Sequence, residues 1–168
     1  MLRALLHTLD NISEWSGKVI SFLIYLIMLV VLWEIIARTF FRAPTIWAHE
    51  LSTFLFGSIA ILAGAYVLRH GAHVNVDIIS ARLSLRMRAI VDIMTFTLFF
   101  LFCGALIWMG AQLFWDSLML LERTQSSWAP PIYPIKLMVP LGGSLLMLQG
   151  LAKFIRDFVT AITGMESI

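Results

Sequence analysis

Four long apolar runs, separated by charged positions, dominate the pattern of the chain. They contain 19, 18, 23 and 16 residues, and the only charged residue within them is Glu34 in the first run. A membrane-spanning helix needs about 17–25 predominantly apolar residues, so the first three runs are long enough. The fourth reaches this length when it is extended upstream to Pro131, because proline suits the first turn of a helix. The pattern therefore predicts four transmembrane helices, near residues 17–41, 46–69, 88–116 and 131–158.

Two further segments have an amphipathic pattern. In the first 16 residues, leucine and isoleucine recur at helical spacing and polar side chains occupy the other face. This predicts an amphipathic helix over residues 1–16 that lies in the membrane interface, with Trp15 near the headgroups. The stretch from Ile78 to Arg88 predicts a short amphipathic helix against the lipid of the cytoplasmic leaflet, between the second and third spans. We therefore expect an all-α membrane protein that forms a single integral membrane domain over residues 1–168.

The composition supports this class of protein. Hydrophobic residues make up 60% of the 168 residues and charged residues 13%, whereas soluble domains average roughly 45–50% and about 25%. These values exclude an ordinary soluble enzyme and a disordered chain. The net charge of +2 gives no reason to expect a nucleic-acid partner. The single cysteine, Cys103, excludes an intrachain disulfide.

The lysine and arginine residues predict the orientation in the membrane. With four spans, both termini and the connection between the second and third spans lie on one side. That side carries eight lysine and arginine residues, and the opposite side carries four. Because cytoplasmic segments carry the excess of positive residues, both termini are predicted to be cytoplasmic.

Glu34 is the one acid that lies within the four apolar runs. Acids inside spans are functional candidates by default, so one hypothesis is a small self-assembling exporter that uses Glu34 as its proton-coupled acid. Arg38 lies four residues further along the chain, and the two side chains can pair on one helical face. The pair lies near the end of the span, which favours a structural role.

Metal, cofactor and catalytic sites are not indicated. His70, His73 and Asp77 would share a helical face, but Gly71 between the histidines is expected to break the helix. The chain's histidines do not face each other at matching depths, as haem ligation in a helix bundle would require. A nucleophile–base pair, a glycine-rich phosphate loop and a zinc-protease motif are also missing. We therefore expect neither an enzyme nor a cofactor, and a membrane enzyme or electron-transfer subunit is disfavoured.

The second span carries small residues on one face, among them Gly57 and Gly64. Such residues allow the backbone of another helix to approach closely. The neighbouring helix either belongs to the same four-helix unit or to another chain, and the sequence leaves both open. At the start of this span, Trp47 suits the membrane interface and Glu50 suits the positive end of the helix dipole. A contact with a partner protein is the alternative explanation for both.

Several motifs together resemble the DctQ-like small membrane subunit of tripartite ATP-independent periplasmic (TRAP) transporters. The resemblance extends over about residues 15–160. Its most specific part is the glycine–histidine–valine–aspartate segment of the connection between the second and third spans. The motifs are Arg38, then Trp47-x-x-Glu50, then Arg69-x-Gly71-x-His73-Val74-x-Val76-Asp77, then Ser126-Ser127-Trp128-x-Pro130-Pro131-x-Tyr133-Pro134-x-Lys136 and Pro140-x-Gly142.

The resemblance implies a function that lies in an assembly. Such a subunit sits in the bacterial inner membrane and braces a large membrane subunit, which carries the substrate and sodium sites. A soluble periplasmic binding protein delivers the substrate, an organic acid, and an ion gradient drives import. This chain would then hold no catalytic or substrate-binding residue. Its structural or partner-interface residues would be Arg38, Trp47, Glu50, Gly57, Gly64, Arg69, Gly71, His73, Asp77, Pro131 and Pro140.

Overall fold

The computed structural model describes residues 2–70 and 85–163, and these residues form four long helices. The helices are α1 (Leu2–Phe40), α2 (Ile46–Arg69), α3 (Leu85–Met119) and α4 (Tyr133–Thr163). Each contains a stretch long and apolar enough to cross a membrane. The prediction of an all-helical chain with four such helices is therefore confirmed.

The first helix differs from the prediction in its continuity. We expected an interfacial helix that ends near residue 16 and a separate span, but α1 runs without interruption for 39 residues. At 1.5 Å per residue it is about 58 Å long, roughly twice the hydrocarbon thickness of a bilayer. Part of its polar N-terminal face packs inside the protein, since Ser13 is only 2% exposed. That residues 1–16 lie in the membrane interface stays a prediction.

The other boundaries shift by a few residues. Helix α3 begins at Leu85, and the predicted short amphipathic helix before it falls mainly on residues 71–84, outside the described residues. Helix α4 begins at Tyr133, so the prediction that Pro131 lies in its first turn is wrong. Instead, Pro131 pairs with Arg123 in an isolated β-bridge. Because Ile132 N–H donates to the Glu122 carbonyl at 2.9 Å, the chain there is extended and the helix starts later.

The four helices form an open arrangement in which α4 is central. Helix α4 packs against α3 and α2, α1 packs against α2, and α1 makes a smaller contact with α4. Among the described residues, α3 has α4 as its main neighbour. The outer faces of α1 and α3 consequently expose large apolar side chains, such as Phe22 and Trp33 on α1 and Leu101 and Trp108 on α3.

Glycines of α4 form its closest contacts. A Cβ atom at Gly142 would lie 2.4 Å from Ile61 Cγ2 and 2.8 Å from the Ile61 carbonyl oxygen on α2. A Cβ atom at Gly150 would lie 2.1 Å from the Phe99 ring on α3. Small residues at helix crossings let backbones approach where lipid supplies no hydrophobic driving force. These positions therefore let α2 and α3 each approach α4 closely.

Candidate functional site

The described polar side chains of interest gather at the two ends of the helices. At one end, which we call the terminal end, α1 begins and α2 and α4 end. At the opposite end, which we call the hairpin end, lie the connections 41–45 and 120–132. The clusters at these two ends contain most of the described residues that the sequence predicts to have a structural or interface role.

Asp10 of α1 is the centre of the cluster at the terminal end. Its carboxylate pairs with Arg156 of α4, with Nη2 and Oδ2 2.6 Å apart, and accepts a hydrogen bond from Gln149 Nε2 at 3.3 Å. Arg69 of α2 donates from Nη1 to the Asp10 carbonyl oxygen at 2.7 Å. One residue of α1 thus binds side chains from both α2 and α4.

Neighbouring residues of α1 extend this cluster. Ser13 donates to Gln149 Oε1 at 2.7 Å, and both side chains are almost completely buried. Arg69 Nη1 also lies 3.3 Å from Glu14 Oε2. Buried polar groups stabilise a fold only when they are hydrogen-bonded, and this condition is met here. The cluster therefore fixes the start of α1 against the ends of α2 and α4.

Arg69 was predicted from the sequence as a structural residue, whereas Asp10, Ser13, Gln149 and Arg156 were not. A signal was available in the spacing, since Asp10, Ser13 and Gly17 lie on one helical face that continues into the buried Ile20. A face that combines polar and small residues looks like a water-facing surface when it is viewed alone. Its partners, up to 146 residues away in the chain, give it a packing role.

At the hairpin end, Glu34 joins α1 to the start of α2. Its carboxylate accepts a hydrogen bond from Arg38 Nη2 at 2.9 Å. It also accepts bonds from the backbone N–H of Thr45, at 3.1 Å, and from the Thr45 hydroxyl. Thr45 is the N-cap residue of α2. Glu34 therefore ties the connection 41–45 to α1, in addition to forming the expected pair with Arg38.

The connection between α3 and α4 is an ordered loop built around Glu122. The Glu122 carboxylate accepts hydrogen bonds from the Lys136 ammonium of α4 and from Ser117 Oγ of α3, the latter at 2.7 Å. The bond from Lys136, followed by the bond from Ser117, holds the pKa of Glu122 below its ordinary value. Leu121 has a φ of 47°, in the left-handed region that non-glycine residues seldom adopt. This backbone turn places Glu122 between the two helices.

Glu50 of α2 connects to the same loop. Ser126 donates to Glu50 Oε2 at 2.8 Å, and its hydroxyl accepts a bond from the Ala129 N–H at 3.1 Å. Trp47, one turn before Glu50, is half-buried. Pro140 lies inside α4 and faces α3. The two helices are close there, because a Cβ atom on Gly110 of α3 would be 3.1 Å from the Pro140 ring. The loop thus links α2, α3 and α4 at the hairpin end.

The two glycines chosen on α2 face α4 within this chain. A Cβ atom at Gly57 would lie 3.7 Å from Ile135, and one at Gly64 would lie 3.5 Å from Leu146, both ordinary van der Waals distances. The tighter contacts are made by glycines of α4, which the sequence analysis did not select. Gly71, His73 and Asp77 lie outside the described residues. The described residues contain no group of three metal-ligating side chains.

Comparison with known proteins places this architecture in a family. Residues 27–160 match the family described as "Tripartite ATP-independent periplasmic transporters, DctQ component". The chain is 23% identical over 172 aligned positions to the sialic acid TRAP transporter small permease protein SiaQ of Vibrio cholerae, covering 99% of this chain and 91% of that protein. It is also 26% identical over 98 residues to the sialic acid TRAP transporter permease protein SiaT of Haemophilus influenzae, covering 56% of this chain and 15% of that longer protein.

The match extends over most of the chain and includes part or all of each of the four helices. The family is one of transporter components and not of enzymes. The four apolar helices are those of a multi-pass membrane protein. The chain therefore belongs to the DctQ component family of the tripartite ATP-independent periplasmic transporters.

Proposed function

We propose that this chain is the scaffold subunit of a sodium-driven TRAP transporter that imports an organic acid. In this proposal it braces a large membrane subunit in the bacterial inner membrane. The large subunit carries the substrate and ion sites, and a periplasmic binding protein delivers the substrate. The small-subunit assignment rests on family membership; the bracing role, the substrate class and the coupling ion are the proposed parts.

The positions of the charged residues along the chain support the bracing role. Apart from Glu34, the four apolar runs contain no Asp, Glu, Lys or Arg. An anionic substrate would need cations or helix N-termini that converge near the middle of the bilayer. The charged pairs described above lie instead at the helix ends, where they join helices of this chain to each other. This arrangement suits a rigid support and not a substrate pathway.

The exposed apolar faces provide the surface for such a support. Helices α1 and α3 expose aromatic and aliphatic side chains along most of their length. In a membrane these faces contact lipid or the helices of another subunit, by van der Waals packing. We propose that part of this surface is covered by the large subunit, and that Arg38, Trp47, Glu50, Arg69, Pro131 and Pro140 keep it in shape. Gly71, His73 and Asp77 are proposed to order the connection between α2 and α3.

The alternative exporter that uses Glu34 gains no support. A proton-coupled acid must face an aqueous pathway and exchange protons. The Glu34 carboxylate instead accepts bonds from Arg38 and from both donors of Thr45. These bonds commit it to the connection between α1 and α2.

Reconstitution in liposomes tests the proposal. The chain is inserted alone, together with a TRAP large membrane subunit, and together with that subunit and a periplasmic binding protein. Uptake of radiolabelled organic acids is then measured with an inward sodium gradient or a matched potassium gradient. We expect saturable uptake only with all three components and only with sodium. Saturable uptake by this chain alone would overturn the scaffold role, and equal uptake with potassium would overturn sodium coupling.

A further inference from the structure

A groove lies between α1 and α2 at the hairpin end. Its volume is about 320 Å³. Apolar side chains form its deeper part, and hydrogen-bonding side chains form the part nearer the helix ends. The lining residues are Val31, Glu34, Ile35, Arg38, Thr39, Ala48, His49 and Ser52.

Several donors of this groove are not used within the described part of the chain. Arg38 is exposed and donates one bond, from Nη2 to Glu34. Its other N–H groups donate to no described residue, so they can donate to a ligand. The side chains of His49 and Ser52 make no hydrogen bond to any described residue. The carboxylate in the groove, Glu34, is occupied by Arg38 and Thr45. The groove therefore presents the Arg38 guanidinium and the side chains of His49 and Ser52 to a ligand.

The position of the groove along α1 matches the headgroup level of a bilayer. Lys18 and Arg38 are 20 residues apart, so the apolar run between them spans about 30 Å, the thickness of the hydrocarbon core. Arg38 then lies where the core ends. From Val31 to Thr39 the groove extends about 12 Å along α1, from inside the core to its boundary. Its apolar part is thus at the depth of acyl chains and its polar part at the depth of phosphates.

We propose that this groove binds one glycerophospholipid, with the phosphodiester on Arg38, His49 and Ser52 and the start of an acyl chain against Val31 and Ile35. Arginine presents several N–H donors that match phosphate oxygens. A bound lipid fills the space between α1 and α2 that protein side chains leave open. It binds through complementary charge and through burial of its apolar part, which distinguishes it from lipid that merely surrounds the helices.

Native mass spectrometry of the full chain, purified with the membrane subunits that accompany it, tests the proposal. The phospholipid that remains bound is counted as collision energy rises, for the unchanged protein and three variants. Arg38→Gln removes the cation, and Ser52→Leu fills the groove while leaving the Glu34–Arg38 pair intact. Arg42→Gln is the matched control, because Arg42 is an exposed arginine at the same end but does not line the groove.

We expect one retained phospholipid in the unchanged protein and in Arg42→Gln. Its apparent affinity should fall about tenfold or more in Ser52→Leu and in Arg38→Gln, as loss of one or two strong contacts predicts. Added phosphatidylglycerol in mixed micelles should raise the melting temperature of the unchanged protein, and inorganic phosphate should not. Equal retention in Ser52→Leu and the unchanged protein would overturn the proposal. Equal stabilisation by inorganic phosphate would show an ion site without a lipid.

Discussion

At the scale of single residues, the charges of this chain act as clamps between helices. Asp10 joins α1 to α2 and α4, Glu34 joins α1 to the start of α2, and Glu122 joins α3 to α4. Each acid is placed at a helix end, where water and headgroups lower the cost of a charge compared with the bilayer centre. These polar contacts fix which helices meet. Apolar packing alone does so less strongly in a membrane, because its free energy differs little between lipid and protein neighbours.

We predict that Asp10→Asn destabilises the protein. The change removes the charge that pairs with Arg156, whose side chain is 29% exposed, and weakens the bond that the Asp10 carboxylate accepts from Gln149. Loss of such partly buried bonds costs about 1–3 kcal/mol. The apparent melting temperature in detergent should fall clearly below that of the unchanged chain. Asp116→Asn is the control, because Asp116 is exposed and its carboxylate has no partner among the described residues; an equal fall in both variants would contradict the prediction.

The lowered pKa of Glu122 predicts a pH-dependent contribution to stability. A carboxyl with a lower pKa in the folded than in the unfolded state stabilises the fold above its unfolded pKa, about 4.3. This contribution is lost as the pH falls through the lower, folded pKa, because the carboxylate that accepts from Lys136 and Ser117 becomes protonated. The melting temperature of Glu122→Gln should therefore be below that of the unchanged chain at pH 7, and the difference should shrink on acidification. A difference that stays constant down to pH 3 would refute this account.

At the scale of elements, α4 holds the chain together although its sequence gives the weakest spanning signal. Its uncharged run has 16 residues, the shortest of the four, and it contains Pro140. It nevertheless contacts each of the other three helices. The reason is its glycines, which bring α2 and α3 closer than any larger side chain would permit. Helix α1, the longest, makes fewer contacts and exposes more of its surface.

We predict that Gly142→Ala weakens the contact between α2 and α4. The new methyl group would lie 2.8 Å from the Ile61 carbonyl oxygen, a backbone atom that moves only with its helix. Overpacking of this kind costs about 1–3 kcal/mol. Gly104→Ala on α3 is the matched control, since a Cβ atom there meets nothing within 4 Å. Its melting temperature should stay the same or rise slightly, because alanine favours a helix by up to about 1 kcal/mol over glycine; equal stability of the two variants would contradict the packing argument.

At the scale of the whole molecule, the helices form an open layer whose outer faces remain apolar. Few side chains are buried, and aromatic residues such as Phe22 and Trp108 are more than half exposed. An arrangement of this kind suits a protein whose neighbours are lipid and other membrane helices. It is also consistent with a subunit that adds surface to a larger assembly.

The predicted orientation can be tested by thiol labelling in intact cells. Cysteine is introduced singly into a Cys103→Ala background, at positions 43 and 125 of the hairpin end and at positions 75 and 82 of the α2–α3 connection. Because the eight-to-four distribution of positive residues predicts cytoplasmic termini, a membrane-impermeant reagent should label only positions 43 and 125. Labelling of positions 75 and 82 alone would reverse the orientation.

The number of membrane-spanning helices and the family were both predictable from the amino-acid sequence. Helix length and hydropathy are local properties that a window of about 20 residues contains, so α2 was placed correctly at both ends. The Glu34–Arg38 pair was also predictable, because residues four apart on a helix face each other. The motifs from Arg38 to Pro140 lie within the region that matches the family.

Which faces of the helices meet was not predictable from the sequence and follows from the three-dimensional packing. Asp10 pairs with Arg156, 146 residues away in the chain, and Gly142 packs against Ile61 on another helix. Such pairs depend on the order and rotation of the helices, which no local pattern contains. In a membrane the ambiguity is larger, because an apolar face looks the same whether it packs against lipid or protein. A polar face such as that of Asp10 and Ser13 is therefore assigned to water from the sequence, although its partners place it inside.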